Sequence, residues 1–340
     1  MRTVPRLGIT IPTYNRADLL GLLLDSIARD FSGSHWPEDL EVVVIDNAST
    51  DDTVEAVRQR IDAGVPIRLV RNPENLGMDA NLAACFDATE ATYLWQLGDD
   101  EVLHEGAARW VLDFCRQHDF GLLHMECTGF RKGEQPGHWA RRIPDAIPVI
   151  PLDSQKLFRQ ANVFLTFISA NVINRRAVRQ RAAGFDARME MSTFLPQLAW
   201  IYGALKAHER HFLVTTPLFG ALSGNSGGYR LIEVFGANLL AITRRQLGSA
   251  LVDADSIMAN AVLSRLIPSE LFARLDGDDN HNRFESEQLG HALDAAFGRR
   301  TYMRLFVLPL LSRRRWIRRG SFFLTRLFNK LNRKVRYAWL

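Results

Sequence analysis

Asp99, Asp100 and Glu101 stand in a row directly after the apolar run Tyr93 to Leu97 and Gly98. Three adjacent carboxylates repel one another unless positive charge sits among them. A hard divalent cation, Mg²⁺ or Mn²⁺, is held by one or two carboxylates together with substrate phosphate oxygens. Such an ion could neutralise a departing diphosphate. The plain alternative is a solvated turn whose acids cap the following helix. Asp46 closes another apolar run, Leu40 to Ile45. A carboxylate there can accept hydrogen bonds from a base or a ribose, or build an Asx turn ahead of a helix. Pro12-Thr13-Tyr14-Asn15-Arg16 adds a backbone turn, an aromatic face and polar groups. The loop Asn72 to Gly77 brings Asn75 and a flexible Gly77 to the same rim.

These clusters need a frame that gathers them. Leu7 to Pro12, Leu40 to Ile45, Ile67 to Val70 and Tyr93 to Leu97 read as strands. Helical patterns follow the first three, over Leu19 to Ile27, from Asp51 to Gly64 and over Asp79 to Ala88. Strands alternating with helices of about ten residues predict an α/β chain with a mostly parallel sheet and helices on both faces. In such sheets ligands bind beyond the carboxyl ends of the strands, where all four polar clusters fall. Further on, Gly129 to Pro151 reads as a long loop, Phe164 to Ile173 as a strand, and the chain after Arg175 as a helix. His211 to Thr216 reads as the last strand and Gly220 to Tyr229 as a mobile glycine-rich loop. From Leu231 the pattern is helical throughout.

The order Ile11-Pro12-Thr13-Tyr14-Asn15-Arg16, Val44-Ile45-Asp46-Asn47-Ala48-Ser49-Thr50-Asp51, Asn72-Pro73-Glu74-Asn75-Leu76-Gly77, Leu97-Gly98-Asp99-Asp100 resembles the nucleotide-binding half of the family 2 glycosyltransferases, over about residues 6 to 105. It is most similar to the branch of abequosyltransferase-like enzymes of O-antigen assembly. The resemblance implies a GT-A (Rossmann-like) fold, a nucleoside-diphosphate sugar donor, a divalent metal (Mg or Mn) and an inverting displacement. It places Pro12, Thr13, Tyr14 and Arg16 beside the nucleoside and Asp46 on the base. Asn75 and Gly77 fall near the ribose or diphosphate, and Asp99 and Asp100 at the metal. Gly98 stands where the family's first Asp of Asp-x-Asp is expected, with Asp100 matching the second. An inverting transfer needs a carboxylate to take the acceptor's proton. Ala183-Gly184-Phe185-Asp186 resembles the family's Gly-Gly-Phe-Asp, but Ser192 and Thr193 occupy the positions of its Glu-Asp pair, leaving Glu190 and then Asp186 as candidate bases.

The 340 residues are 47% hydrophobic and 24% charged, a globular composition. Three cysteines without ligand spacing fit small core positions and a reducing compartment. The nine histidines form no recognisable ligand set, although His138-Trp139 could stack on an acceptor sugar. The formal charge of +4 hides a split. Residues 1 to 294 carry 29 basic against 38 acidic side chains, and the last 46 residues hold 13 Lys and Arg with no acid. In the tail, Phe323, Leu327, Leu331 and Val335 recur every four residues, with Arg326, Lys330 and Arg333 expected on the opposite face. That pattern fits an interfacial helix on an anionic membrane, or a terminal helix packed on the core. A nucleic-acid partner is disfavoured by the acidic body. No leader peptide and no spanning segment is visible, so the expected location is cytoplasmic, peripheral on the inner face of a membrane. The expected organisation is a GT-A domain over residues 1–225, a helical C-terminal region over 226–312, and a basic amphipathic tail over 313–340. The expected acceptor is a glycan or polyprenyl-linked glycan. Two rivals are a nucleotidyltransferase, whose glycine-rich phosphate loop residues 8 to 16 lack, and a non-catalytic carbohydrate- or membrane-binding module.

Overall fold

The computed structural model of the chain describes residues 4–130, 141–181, 184–222, 230–276, 289–298 and 300–331. His138, Trp139, most of the glycine-rich loop and Arg333, Val335 and their neighbours lie outside the described residues. The four expected strands are β1 (Leu7–Thr13), β2 (Leu40–Asp46), β3 (Ile67–Arg71) and β4 (Tyr93–Gln96), interleaved with α1 (Ala17–Arg29), α2 (Thr53–Asp62) and α3 (Met78–Asp87). They pair in parallel in the order β3-β2-β1-β4. β1, β2 and β4 are buried on both faces, which is why β2 reads as a continuous apolar run rather than an alternating one, while β3 at the sheet's edge is only partly covered. Val42 and Val44 join the main core with Leu20, Leu23 and Ile27 of α1, while Val43 and Ile45 pack on Cys85 of α3. All three cysteines are buried free thiols.

The sheet continues past β4 with strands of mixed direction. β5 (Glu101–Leu103) is followed by α4 (Ala107–Gln117), β6 (Leu122–Phe130), β7 (Val149–Leu152), α5 (Ser154–Ala161), β8 (Asn171–Asn174), α6 (Arg175–Arg181), α7 (Leu198–Ala207) and β9 (His211–Leu222). β8 lies antiparallel to β4 and β6, and β9 is parallel to β6 but antiparallel to β5 and β7. The loop expected over Gly129 to Pro151 thus begins inside β6 and ends inside β7. The strand expected over Phe164 to Ile173 is two 3₁₀ turns, Asn162–Thr166 and Ile168–Ala170, before β8. Its apolar composition reflects burial rather than extension: Phe164, Leu165 and Ala170 are all core residues.

The remaining helices are α8 (Leu239–Leu247), α9 (Ala254–Ala261), α10 (Ile267–Asp276), α11 (Leu289–Phe297) and α12 (Arg315–Leu331). One hydrophobic cluster runs from Leu7 to Leu310, so these helices share the core of the sheet. α12 is docked through Phe322, stacked on Phe272 with ring centroids 4.0 Å apart, and through Phe328, 4.8 Å from Phe306. Thr325 between them is buried. The side of α12 opposite the Phe323–Leu327–Leu331 row is therefore taken by the body. Arg326 and Lys330 flank the Phe323–Leu327–Leu331 row instead of opposing it.

Candidate functional site

The end of β1 and the turns that follow β1, β2, β3 and β4 line a cleft of about 600 Å³. Two turns there are knitted together. Asn15 (φ 52°) and Ala48 (φ 62°) take left-handed backbone. The Asn15 backbone N–H donates to Ser49 Oγ at 2.9 Å, and Asn15 Oδ1 accepts from the Thr50 N–H at 2.8 Å. Arg16 N–H donates to Thr53 Oγ1 at 3.0 Å. These bonds fix where Tyr14 and Arg16 leave the turn, and both line the cleft with Pro12 and Thr13.

Asn47 organises the next turn. Its Nδ2 donates to Asn75 Oδ1 at 2.7 Å, while its Oδ1 accepts from Asn72 Nδ2 at 2.9 Å and from the Leu76 N–H at 3.0 Å. Asn75 Oδ1 also accepts from the Gly77 N–H at 2.9 Å. Gly77 has φ 83°, a conformation a side chain strains against, and it opens α3. Asn47, Asn75, Gly77 and Asn81 form a polar shelf on the cleft wall.

Asp46 is not on that shelf. The period-two alternation of β2 puts it on the Val42–Val44 face, where its side chain has no exposure. It accepts from the Ser49 N–H at 3.1 Å and pairs with Arg71 Nε at 3.1 Å. The expected base contact is thus corrected to the turn-building role: Asp46 holds the loop whose next residue, Asn47, faces the cleft.

Asp99 and Asp100 line the opposite end of the cleft. Arg16 Nη1 stands 2.9 Å from Asp100 Oδ2 and 3.4 Å from Asp99 Oδ1. Burial pushes Asp99 up to about 7, with Asp100 adding to the rise and Arg16 opposing it. Glu101 is also pushed well above the ordinary carboxylate range, chiefly by burial. Ser169 Oγ accepts from the Gly98 N–H at 2.9 Å and donates to Glu101 Oε1 at 3.2 Å, while Glu101 Oε2 is buried without a partner. A Cβ on Gly98 would lie 3.0 Å from Asp100 Oδ1 and 3.3 Å from Glu101 Oε1, so Glu101 fills room that a side chain at position 98 needs. Two carboxylates converging on one guanidinium mark a place for positive charge. Among the described residues no third acid, His or Cys completes a cage. A hard cation fits here only by taking its other ligands from phosphate oxygens and water, the usual mode for Mg²⁺.

The other wall is apolar: Leu82, Phe167, Ile168, Phe194, Leu195 and Phe235. Phe194 (φ 60°) follows Ser192 (φ 64°) in left-handed backbone. The segment is clamped by Asp79 Oδ2, which accepts from the Thr193 and Phe194 N–H groups, each at 3.2 Å, and by Asn238 Nδ2, which donates to Thr193 O at 3.1 Å. Glu190 belongs to this scaffold and not to the cleft. Its side chain is buried, paired with Arg245, and accepts from Gln246 Nε2 at 2.7 Å. Asp186 is exposed on a turn, accepting from the Arg188 N–H at 2.9 Å. Neither candidate base lines the cleft, because the chain after Gly184 turns toward α8 before Phe194 returns. Among the described lining residues the carboxylates are Asp99 and Asp100.

The glycosyl transferase family 2 model matches residues 9–181. The abequosyltransferase of Salmonella typhimurium is 38% identical over 125 residues, 36% of this chain and 37% of that protein. The validoxylamine A glucosyltransferase of Streptomyces hygroscopicus subsp. limoneus is 32% identical over 203 residues, 54% of this chain and 44% of that protein. The chain thus spans less than half the length of these two relatives. Residues 1–349 of TarS from S. aureus, solved in complex with UDP-GlcNAc, superpose with a TM-score of 0.58 at 16% identity, covering 97% of this chain and 93% of that one. The likeness to TarS establishes the GT-A fold.

Proposed function

Since the chain belongs to glycosyl transferase family 2, we propose that it moves a sugar from a nucleoside-diphosphate sugar to a glycan, with inversion at the anomeric carbon. The observation that carries this reading is the cleft itself, a volume of about 600 Å³ lined together by Asp99, Asp100, Asn47 and Asn75. In this assignment the nucleoside lies against Tyr14 between Pro12–Thr13 and Asn47, with Asn75 and Gly77 at the ribose. The diphosphate lies toward Asp99, Asp100 and Arg16. Asp99 and Asp100 would hold a Mg²⁺ or Mn²⁺ ion, which would supply Lewis-acid stabilisation of the leaving diphosphate. Arg16 orients both carboxylates, and the knitted turns hold these groups in place before the donor arrives.

The apolar wall of Phe167, Phe194 and Phe235 is the acceptor side, since aromatic rings pack against the C–H faces of sugars. The similarity to an abequosyltransferase supports a surface-polysaccharide acceptor such as O-antigen, carried on a polyprenyl lipid. The enzyme then works peripherally at the cytoplasmic face of a membrane, with residues 313–340 toward the lipid. No described helix is long and apolar enough to cross a bilayer. A nucleotide-sugar panel read by thermal shift, with and without Mn²⁺, tests the reading. A metal-dependent rise in melting temperature with one or a few donors is expected, and no response to any nucleoside diphosphate or its sugars sinks it.

A further inference from the structure

We propose that the outward face of α12 is a built docking surface for an anionic lipid bilayer, with the helix held parallel to the membrane plane by the body of the protein. The proposal deepens the reading of a lipid-carried acceptor, but its physical basis is separate from the cleft.

α12 has two apolar sides. The inner one is spent on the body, through Phe322 on Phe272, Phe328 on Phe306 and a hydrogen bond from Asn329 Nδ2 to Ser264 O at 2.7 Å. The helix therefore cannot roll to bury its other side. That side shows Trp316 at 70% exposure, Phe323 at 67%, Leu324 at 63%, Leu327 at 42% and Leu331 at 76%. At about 100° per residue these five fall within an arc of roughly 100°, interrupted only by Gly320 and carrying no charge. So many large apolar side chains on one exposed strip mark a surface built to be covered.

The flank of the strip identifies the cover. Arg319, Arg326 and Lys330 are exposed along one edge, and no Asp or Glu occurs after Asp294. Their long stems can lie along an apolar surface while the charged heads reach outward. A bilayer with anionic headgroups accepts both features at once, hydrocarbon for the strip and phosphate for the row. A second copy of the chain fits less well, because face-to-face pairing sets one basic row near another.

The test is co-sedimentation of the full chain with vesicles of phosphatidylcholine containing about one-third phosphatidylglycerol, and with phosphatidylcholine alone. Binding is expected to the anionic vesicles, to weaken with added salt, and to fall roughly fivefold for each of Arg319→Gln, Arg326→Gln and Lys330→Gln. The double variant Phe323→Ser/Leu327→Ser should lose at least about tenfold in binding while keeping the wild-type melting temperature, since both side chains are exposed. Donor-induced thermal shifts should be unchanged in all of these variants. The proposal is overturned if the wild type ignores anionic vesicles, if the variants sediment like the wild type, or if the Phe323/Leu327 change only dissolves a dimer. A protein that binds vesicles but no nucleotide-sugar refutes the cleft reading and leaves this one standing.

Discussion

Asp99 sits where burial favours its neutral form, so its contributions to stability and to donor binding oppose each other. Its folded value of about 7 lies above the unfolded 3.8. The associated stability is therefore complete below pH 3.8 and lost as pH rises through about 7. Asp99→Asn should raise the melting temperature at pH 7.5 while cutting metal-dependent transfer at least about tenfold; a drop in both would show that the carboxylate is a structural ion-pair partner. Asp100→Ala should cost more, about 3 kcal/mol of leaving-group stabilisation, or a rate loss of more than a hundredfold. Activity of that variant in excess chelator equal to wild type counts against any metal role. On the shelf, Asn47→Ala should raise the donor KM with little change in kcat, because ground state and transition state share that contact. The sequence makes the acidic turn conspicuous but hides Asn47, since nothing in Asp46-Asn47 says which side chain turns inward. Only the pairing of β2 with its neighbours decides that.

At the scale of elements, the strained segment from Glu190 to Leu195 is a strut for the apolar wall. Left-handed Ser192 and Phe194 are each disfavoured by about 1–3 kcal/mol and persist only where surroundings over-determine them. Asp79, Asn238, Arg245 and Gln246 provide those surroundings. Glu190→Gln should lower stability by about 1–3 kcal/mol, since Arg245 loses its carboxylate, with donor affinity nearly unchanged. A hundredfold fall in rate at an unchanged melting temperature would restore Glu190 as the base. The parallel strands and their helices were legible because each carries its own local signal: a β-branched apolar run, a polar turn, a helical stripe. The 3₁₀ turns at Asn162–Thr166 and Ile168–Ala170 were not. Their apolar side chains reflect tertiary burial, which a strand and a buried turn share equally. The clamp on Phe194 joins residues more than a hundred positions apart, so no local pattern announces it.

For the whole molecule, two buried histidines set an acid limit. Burial lowers His124, hydrogen-bonded to Asn171 Oδ1 at 2.8 Å, to about 4. It does the same to His211, bonded to Ser154 Oγ at 2.9 Å. Both lie below the unfolded 6.5, so the unfolded chain takes up protons first. The histidines' contribution to stability is full above pH 6.5 and falls as pH drops toward 4. His124→Gln should flatten the dependence of melting temperature on pH in that window; an unaltered slope would show that His124 is not its source. The docking of α12 also changes what truncation does. Removing residues 313–340 uncovers Phe272 and Phe306, so a lower melting temperature is expected, whereas an unchanged one would make α12 a dispensable appendage. The pairing of β5 with β9 has a consequence in time. Glu101, Val102 and Leu103 are anchored by Ala221, Gly220 and Phe219, while β1 to β4 complete their mutual pairing within the first hundred residues. On a ribosome the intervening stretch takes on the order of ten seconds to appear at usual rates. The nucleoside end of the cleft can therefore form early, and the acidic end must wait for β9. In a fragment ending at residue 210, the amide of Val102 should exchange with solvent freely while those of β1 and β2 are protected, since the Leu103 N–H keeps Ser26 Oγ as its acceptor; equal protection of Val102 would show that the acidic turn needs no late partner.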